Sequence, residues 1–345
     1  MQHKTRFIII ALLASGGGWV ASQLGIPLAW LIGPMVVVIM LGFWFPVGVP
    51  RSLYRSGQVI VGTAVGLTVA PDLLGRIGPH LPIILGGALV SIGLGRALTP
   101  VVMRLCGLDI KTAFFAMVPA GISEMADLAE RQGADAGAVA LFHTLRVVII
   151  VLLLPILVLS FTPAVTTRAI LPGIWDAPLA LALLAGLGAA LVGNRLRLPS
   201  AFVVGPMLAL AILSISGFIE AREPAILLAV AQIALGLSLG ARFRNKTVLR
   251  LLRVLVWGIP LILLHAILML ALATATAGLA GFPLPELLMG FATGGTAEMV
   301  LTAQIVGADA ALVAAYQVTR GLLGNLLAGL IYRWTVAPRL PNDKG

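Results

Sequence analysis

The feature that most constrains this 345-residue chain is that it is written twice. "PAGISEMADLAERQGADAGAVALFHTLR" begins at Pro119 and returns as "TGGTAEMVLTAQIVGADAALVAAYQVTR" from Thr293. Gly121 aligns with Gly295, Glu124 with Glu298, Gly133 with Gly307, Asp135 with Asp309 and Arg146 with Arg320, every pair separated by 174 positions. "GQVIVGTAVG" returns as "AQIALGLSLG" at the same offset, pairing Gln58 with Gln232, Gly62 with Gly236 and Gly66 with Gly240. "IPLAWLIGPM" returns as "LPSAFVVGPM" at an offset of 172, pairing Gly33-Pro34-Met35 with Gly205-Pro206-Met207. Self-similarity at this scale means that one structural unit is used twice. The units are residues 1–165 and 166–345, joined where Pro, Thr and Gly interrupt the pattern in "FTPAVTTRAILPGIWDAP".

What kind of unit it is follows from the runs between the motifs. "FIIIALLASGGGWVASQLG", "LAWLIGPMVVVIMLGF", "LPIILGGALVSIGLG" and "VVIIVLLLPILVLSF" are each near the length that crosses a bilayer. With 60% hydrophobic residues, only 10% charged and a mean hydropathy of +1.08, the chain reads as an all-α polytopic membrane protein. The basic, apolar N-terminus has a counterpart in the second half, so it is expected to be the first membrane helix rather than a cleaved signal.

Each half holds six apolar segments, in the first roughly 7–24, 28–45, 54–73, 81–104, 112–130 and 136–161. If all six crossed, the halves would be parallel and the cluster "RFRNKTVLRLLR" would face outside, against the positive-inside rule. If the fifth segment dips in and returns, five crossings remain per half and the second half is inverted; a broken helix that still crosses is the alternative, and it loses the charge agreement. From a cytoplasmic N-terminus the inside then receives Lys4, Arg6, Arg51, Arg55, Arg104, Lys111, Arg195, Arg197, Arg242, Arg244, Lys246, Arg250, Arg253, Arg333, Arg339 and Lys344. Only Arg76, Arg168 and Arg222 fall outside. The expected fold is therefore two inverted repeats, each of about five transmembrane helices plus one re-entrant or broken helix, with both termini cytoplasmic. The Pro and Gly residues of "PAGISEM" and "TGGTAEM" mark the break, which a membrane tolerates only where protein buries it or water reaches it.

The net charge of +10 comes as short clusters between apolar runs, so nucleic acid is not an expected partner. A lone Cys106 excludes an intramolecular disulfide and a thiolate cluster. His3, His80, His143 and His265 have no ligand spacing, so no metal, cofactor or enzymatic role is expected.

Glu124 and Glu298 fall in the first turn after each break. Helix capping accounts for a carboxylate there, yet one inside a membrane costs several kcal/mol unless paired, hydrated or protonated, and marks an ion or substrate path. Gly121, Ser123, Thr293, Gly294, Gly295 and Thr296 flank the breaks as candidate contacts. Asp127, Glu130 and Arg131 lack charged counterparts and read as a solvated face, and Asp135 and Asp309 read as N-caps. Arg146 and Arg320 lie eleven residues beyond those aspartates, about 16 Å along a helix, and need a carboxylate or an anion. Glu124 and Glu298 are the expected partners. His143 and Gln317 share the arginines' helix face, His143 as a proton carrier or as a buried hydrogen-bonding group. Gln58 and Gln232, beside closely spaced glycines, serve packing or contact the substrate, and Gly33-Pro34 and Gly205-Pro206 are expected to kink their helices.

The doubled "GxxEM…GAD…R", with the doubled "GPM" and "QxxxGxxxG", resembles the membrane AbrB duplication family of bacteria over nearly the whole chain. That resemblance implies the family's labels, a regulator of gene expression and, in older usage, an ammonia monooxygenase. Pro119-Ala120 stand where the second half has Thr293-Gly294, which makes the first break the stiffer one. The layout is also similar to that of the cation/proton antiporter and anion transporter superfamily, a likeness of fold alone.

The expectation is a bacterial inner-membrane secondary transporter of a small polar or anionic solute, coupled to a proton or sodium ion through the membrane glutamates. It is embedded in the lipid bilayer, with a homodimer as a possible assembly. The alternative is a membrane-embedded regulator of gene expression that transports nothing.

Overall fold

The computed structural model describes residues 2–45, 47–69, 71–161, 175–221, 224–243 and 252–339. The expected junction between halves at 162–174 lies outside them, as do Arg168, Arg222, Arg244, Lys246, Arg250 and Lys344 of the charge tally. Among the described residues all regular structure is helical. Seven helices form the first half: α1 (Gln2–Gln23), α2 (Ala29–Trp44), α3 (Arg51–Leu67), α4 (Leu73–Cys106), α5 (Ile110–Met117), α6 (Ile122–Arg131) and α7 (Ala136–Phe161). Seven follow in the same order: α8 (Ala177–Arg195), α9 (Ala201–Ile215), α10 (Ala225–Gly240), α11 (Leu252–Ala280), α12 (Leu284–Phe291), α13 (Thr296–Val306) and α14 (Ala310–Thr335).

Among the described residues five windows are long and apolar enough to cross a membrane: Arg6–Gln23, Gly75–Cys106, Ala136–Phe161, Ala177–Arg195 and Leu252–Ala280. Large apolar side chains cover their outer faces, Ile8, Leu12, Leu153, Leu184 and Ile267 among them. Exposed Trp19, Trp44, Trp175 and Trp334 fit the aromatic belts of membrane proteins. The expectation of full-length segments fails for α2, α3, α9 and α10, which have only 16, 17, 15 and 16 residues. At 1.5 Å per residue these span about 23–26 Å, less than the hydrocarbon core. Their starts are set by Pro50 and Pro224 and by the left-handed Leu28 and Ser200.

The short helices pack across the two halves, α3 on α9 and α2 on α10. A Cβ on Gly66 would come within 2.7 Å of Met207 O, and one on Gly240 within 2.7 Å of Met35 O. Gly62 and Gly236 meet Val203 O and Leu31 O more closely still. Each contact on one side thus has its repeat equivalent on the other. Small residues let helix backbones approach without a hydrophobic driving force between them. Pro34 and Pro206 sit inside α2 and α9, and the glycines before them press on Gly17 O and Ala189 O, so "GP" serves close packing of α1 on α2 and of α8 on α9.

Candidate functional site: two broken helices meeting on α14

The fifth segment of each half is interrupted at the same four aligned positions, 118–121 and 292–295, between α5 and α6 and between α12 and α13. Hydrogen bonds fix the direction of each arm. At the mouth of the first hairpin Asp135 N–H donates to Thr112 Oγ1 (2.9 Å), and further in His143 Nε2–H donates to Phe115 O (2.9 Å). In the second, Asp309 N–H donates to Glu286 Oε1 (3.0 Å), and Gln317 Nε2 donates to Met289 O (2.6 Å) and Ala292 O (3.0 Å). So α5 runs alongside α7 and α12 alongside α14, each in the same direction as its neighbour. The return arms α6 and α13 end at the level where α5 and α12 began. Each broken segment therefore goes in, unwinds and comes back. Asp309 caps α14 through Ala311 N–H and Leu312 N–H, and Asp135 accepts from Ala138 N–H, the expected N-caps.

The two unwound elbows approach each other along α14. Arg320 reaches the second break, donating to Ala292 O and, at 3.2 Å, to Gly294 O. One turn further, Asn325 Oδ1 accepts from Gly121 N–H (3.3 Å), and Gly324 packs against Pro119 O in the first break. Beyond that, Tyr332 stacks on Phe115, with ring centroids 5.0 Å apart. The first hairpin thus runs against α14 while the second runs with it, and their elbows straddle the middle of a 26-residue helix. Long α4 lies parallel to α14, tied by the Arg76–Asp309 ion pair, His80 Nδ1 to Tyr316 OH (2.9 Å) and Arg96 Nε–H to Thr335 Oγ1 (2.9 Å).

The two glutamates differ in surroundings. Each folds back onto the glycine that caps its helix, and a side chain at Gly121 or Gly295 would collide with that carboxylate. Glu124 and Ser123 are exposed, as are Asp127, Glu130 and Arg131. Glu298 is 0% exposed. Its Oε1 accepts from Tyr54 OH at 3.0 Å, while no hydrogen bond from the described residues reaches its Oε2. Arg242 lies over the Tyr54 ring, 5.2 Å from its centroid. Thr296 Oγ1 pairs with Ser200 Oγ (3.2 Å), and Thr293 Oγ1 is buried without a partner among the described residues. Tyr54 and Arg242 were not foreseen. Their repeat equivalents are Leu228 and Thr68, and this departure from the duplication was the available signal.

The arginines do not meet the expected carboxylates. Among the described residues the ion pairs are those of Arg76 with Asp72 and Asp309. Arg320 instead binds the carbonyl end of α12 and Gln317 Oε1 (2.5 Å), where the negative end of a helix dipole favours a cation. Arg146 has less: its Nη2 donates to His143 Nδ1 (2.8 Å), and its Nε and Nη1 are buried without partners among the described residues. His143 and Gln317 thus fill one role with different chemistry, holding a carbonyl of the hairpin and an arginine at once. Gln58 is partly buried; Gln232 is buried, and its Oε1 has no hydrogen bond among the described residues. Among the described residues no cluster of His, Cys, Asp and Glu suits a metal, and Cys106 is free and buried.

A family model described as "Transition state regulatory protein AbrB" matches residues 30–336. A Bacillus subtilis (strain 168) protein named "Uncharacterized protein YhjN" is 27% identical, the match covering 93% of this chain and 91% of that one. An Escherichia coli (strain K12) protein named "Putative regulator AbrB" is 30% identical over 88% of each chain. With the doubled motifs, the twin broken helices and a match from α2 to beyond α14, the chain belongs to the AbrB family.

Proposed function

We propose that the protein is an inner-membrane secondary transporter with inverted halves, carrying a small polar or anionic solute and coupled to a proton or sodium ion through Glu298. The observation that carries this reading is the fully buried Glu298, in the first turn after an unwound segment, its carboxyl held among the described residues by Tyr54. An acid there is expensive in lipid and by default belongs to an ion path. Broken helices meeting near the midplane between inverted repeats are a recurring design of carriers.

Inversion is supported by the opposite directions of the two hairpins along α14. It is supported independently by the pairing of α3 with α9 and of α2 with α10, each parallel by the order of their glycine contacts. Consecutive α2 and α3 run oppositely, so equivalent α2 and α9 do too. In this topology the N- and C-termini face the cytoplasm, with the Arg51–Arg55 and Arg242 ends of α3 and α10. Tyr54 then covers Glu298 from the cytoplasmic side. Glu124 is exposed, and the position equivalent to that tyrosine holds Leu228. Solute movement alternates between these two arrangements, with the elbows' helix N-termini offering donors to the solute.

The test is flux into proteoliposomes driven by a pH or sodium gradient. Glu298→Gln should abolish gradient-driven flux in a protein that remains folded; unchanged flux would remove the coupling role. The regulatory reading draws on the names of the family and the Escherichia coli relative. Altered transcripts in a deletion strain with unchanged solute content would favour it.

A further inference from the structure

Among the described residues two buried guanidinium groups have no carboxylate partner, an excess of positive charge that those residues do not balance. Arg146 and Arg320 are 4% and 7% exposed and lie close enough to repel each other. Their positions are repeat equivalents, so the space between them is where the halves meet. A second pair of equivalents marks the same line: His265 Nε2–H donates to Ser91 O (3.1 Å), and residues 91 and 265 are also 174 apart. Both arginines act electrostatically on His265, whose Nδ1 is buried without a partner among the described residues.

The two arginines are not equally available. Arg320 commits its donors to Ala292 O, Gly294 O and Gln317 Oε1. Arg146 makes no such bonds to the first break and keeps Nε and Nη1 unpaired among the described residues. A cation at membrane depth with unpaired donors calls for an oxyanion, since guanidinium–oxyanion hydrogen bonds are the strong charge-assisted kind. One open guanidinium balances one negative charge, which suits a single carboxylate better than a phosphate or a dicarboxylate.

We infer that Arg146, through its unpaired donors, binds the carboxylate of a small monocarboxylate at the interface of the two halves. This deepens the carrier reading and rests on it for its physiological sense, but the binding itself is measurable without transport.

The experiment is thermal unfolding of the purified full chain in detergent, in carboxylate-free buffer. Sodium propionate or lactate is added and compared with sodium chloride and sodium phosphate at matched ionic strength. A ligand that binds the folded form raises its apparent stability. The wild-type midpoint should rise with the carboxylates. Arg146→Met should not respond, and Arg146→Lys, which keeps charge but loses the planar donors, should bind roughly tenfold more weakly or worse. Gly188→Ala, where a methyl group meets nothing within 4 Å, should respond as the wild type does. An equal rise in Arg146→Met, an equal rise with chloride or phosphate, or no wild-type rise at tens of millimolar would each overturn the inference. Binding through Arg146 in proteins that show no flux would sink the carrier reading alone. Flux that survives Arg146→Met would sink this site alone.

Discussion

Replacing each buried arginine with methionine should separate two residues that the duplication makes formally equivalent. Both substitutions remove one charge from membrane depth, worth about 2.5–3.5 kcal/mol on insertion scales, so that gain cancels between the two variants. What differs is the hydrogen bonding left behind. In Arg320→Met, Gly294 O and Gln317 Oε1 lose their donor, while Ala292 O keeps the amide of Gln317. In Arg146→Met only His143 Nδ1 is stranded, and two unpaired buried donors, Nε and Nη1, disappear with the side chain. One extra stranded acceptor on one side and two relieved donors on the other make three differences. At about 1–3 kcal/mol each, Arg320→Met should be the less stable protein by about 3 kcal/mol or more. Reversible denaturation in mixed micelles, in carboxylate-free buffer, would measure the gap. Equal midpoints, or Arg146→Met as the weaker variant, would refute the claim that Arg320 is structural while Arg146 is open.

Four further outcomes follow from the same geometry. Tyr54→Phe removes the hydroxyl that donates to the Glu298 carboxyl and should cost about 1.5–3 kcal/mol of folded-state stability if that carboxyl is ionised; the same micelle denaturation checks it, and in a Glu298→Gln background the cost of Tyr54→Phe should vanish. Gly66→Ala and Gly240→Ala push a methyl group against Met207 O and Met35 O and should each lower stability by about 1–3 kcal/mol, whereas Gly188→Ala, with nothing within 4 Å, should not. Glu124→Cys in a Cys106→Ala background should react with a membrane-impermeant maleimide added from outside, and Glu298→Cys should resist the same reagent added to inside-out vesicles until Tyr54 is cut to alanine. Asn325→Ala, which frees Gly121 N–H, should lower flux more than binding if the first elbow must hold its shape against α14.

Much of this architecture was legible in the sequence because duplication and hydropathy are strong backbone signals. The doubled Gly break before Glu-Met located both elbows, and "GAD" located both caps, since each needs a residue type that the backbone itself demands. The partners of Arg146 and Arg320 were not legible. Opposite charges within one half suggested ion pairs, but the carbonyls at 292 and 294 are exposed by the break, and backbone acceptors carry no sequence label. Four helices also proved shorter than their apolar runs, because Pro50 and Pro224 fix where two of them can begin. Tyr54 aligns with Leu228, and such a mismatch marks a difference between the halves without naming the group it faces.

Those mismatches are where the chemistry of the two halves parts company. Gln317 against His143, Tyr54 against Leu228, Arg242 against Thr68 and Glu286 against Thr112 all fall on or beside the broken hairpins, while the glycine contacts of α3 with α9 and of α2 with α10 remain matched. A carrier whose halves were identical in side chains would hold its inward and outward forms at equal energy. Here Glu298 is sealed by Tyr54 while Glu124 lies open, and exchanging those roles has no mirror-image counterpart, because Leu228 has no hydroxyl to offer Glu124. The bias should scale with the Tyr54 bond: about 1.5–3 kcal/mol for a hydrogen bond to a charged group is roughly a tenfold to hundredfold preference for the form in which Glu298 is covered. Removing the hydroxyl with Tyr54→Phe should therefore raise the labelling rate of a cysteine placed at Thr296, in the same first turn of α13 as the covered acid, by about that factor. A rate unchanged by the substitution would mean that the tyrosine packs against Glu298 without deciding which form the protein rests in.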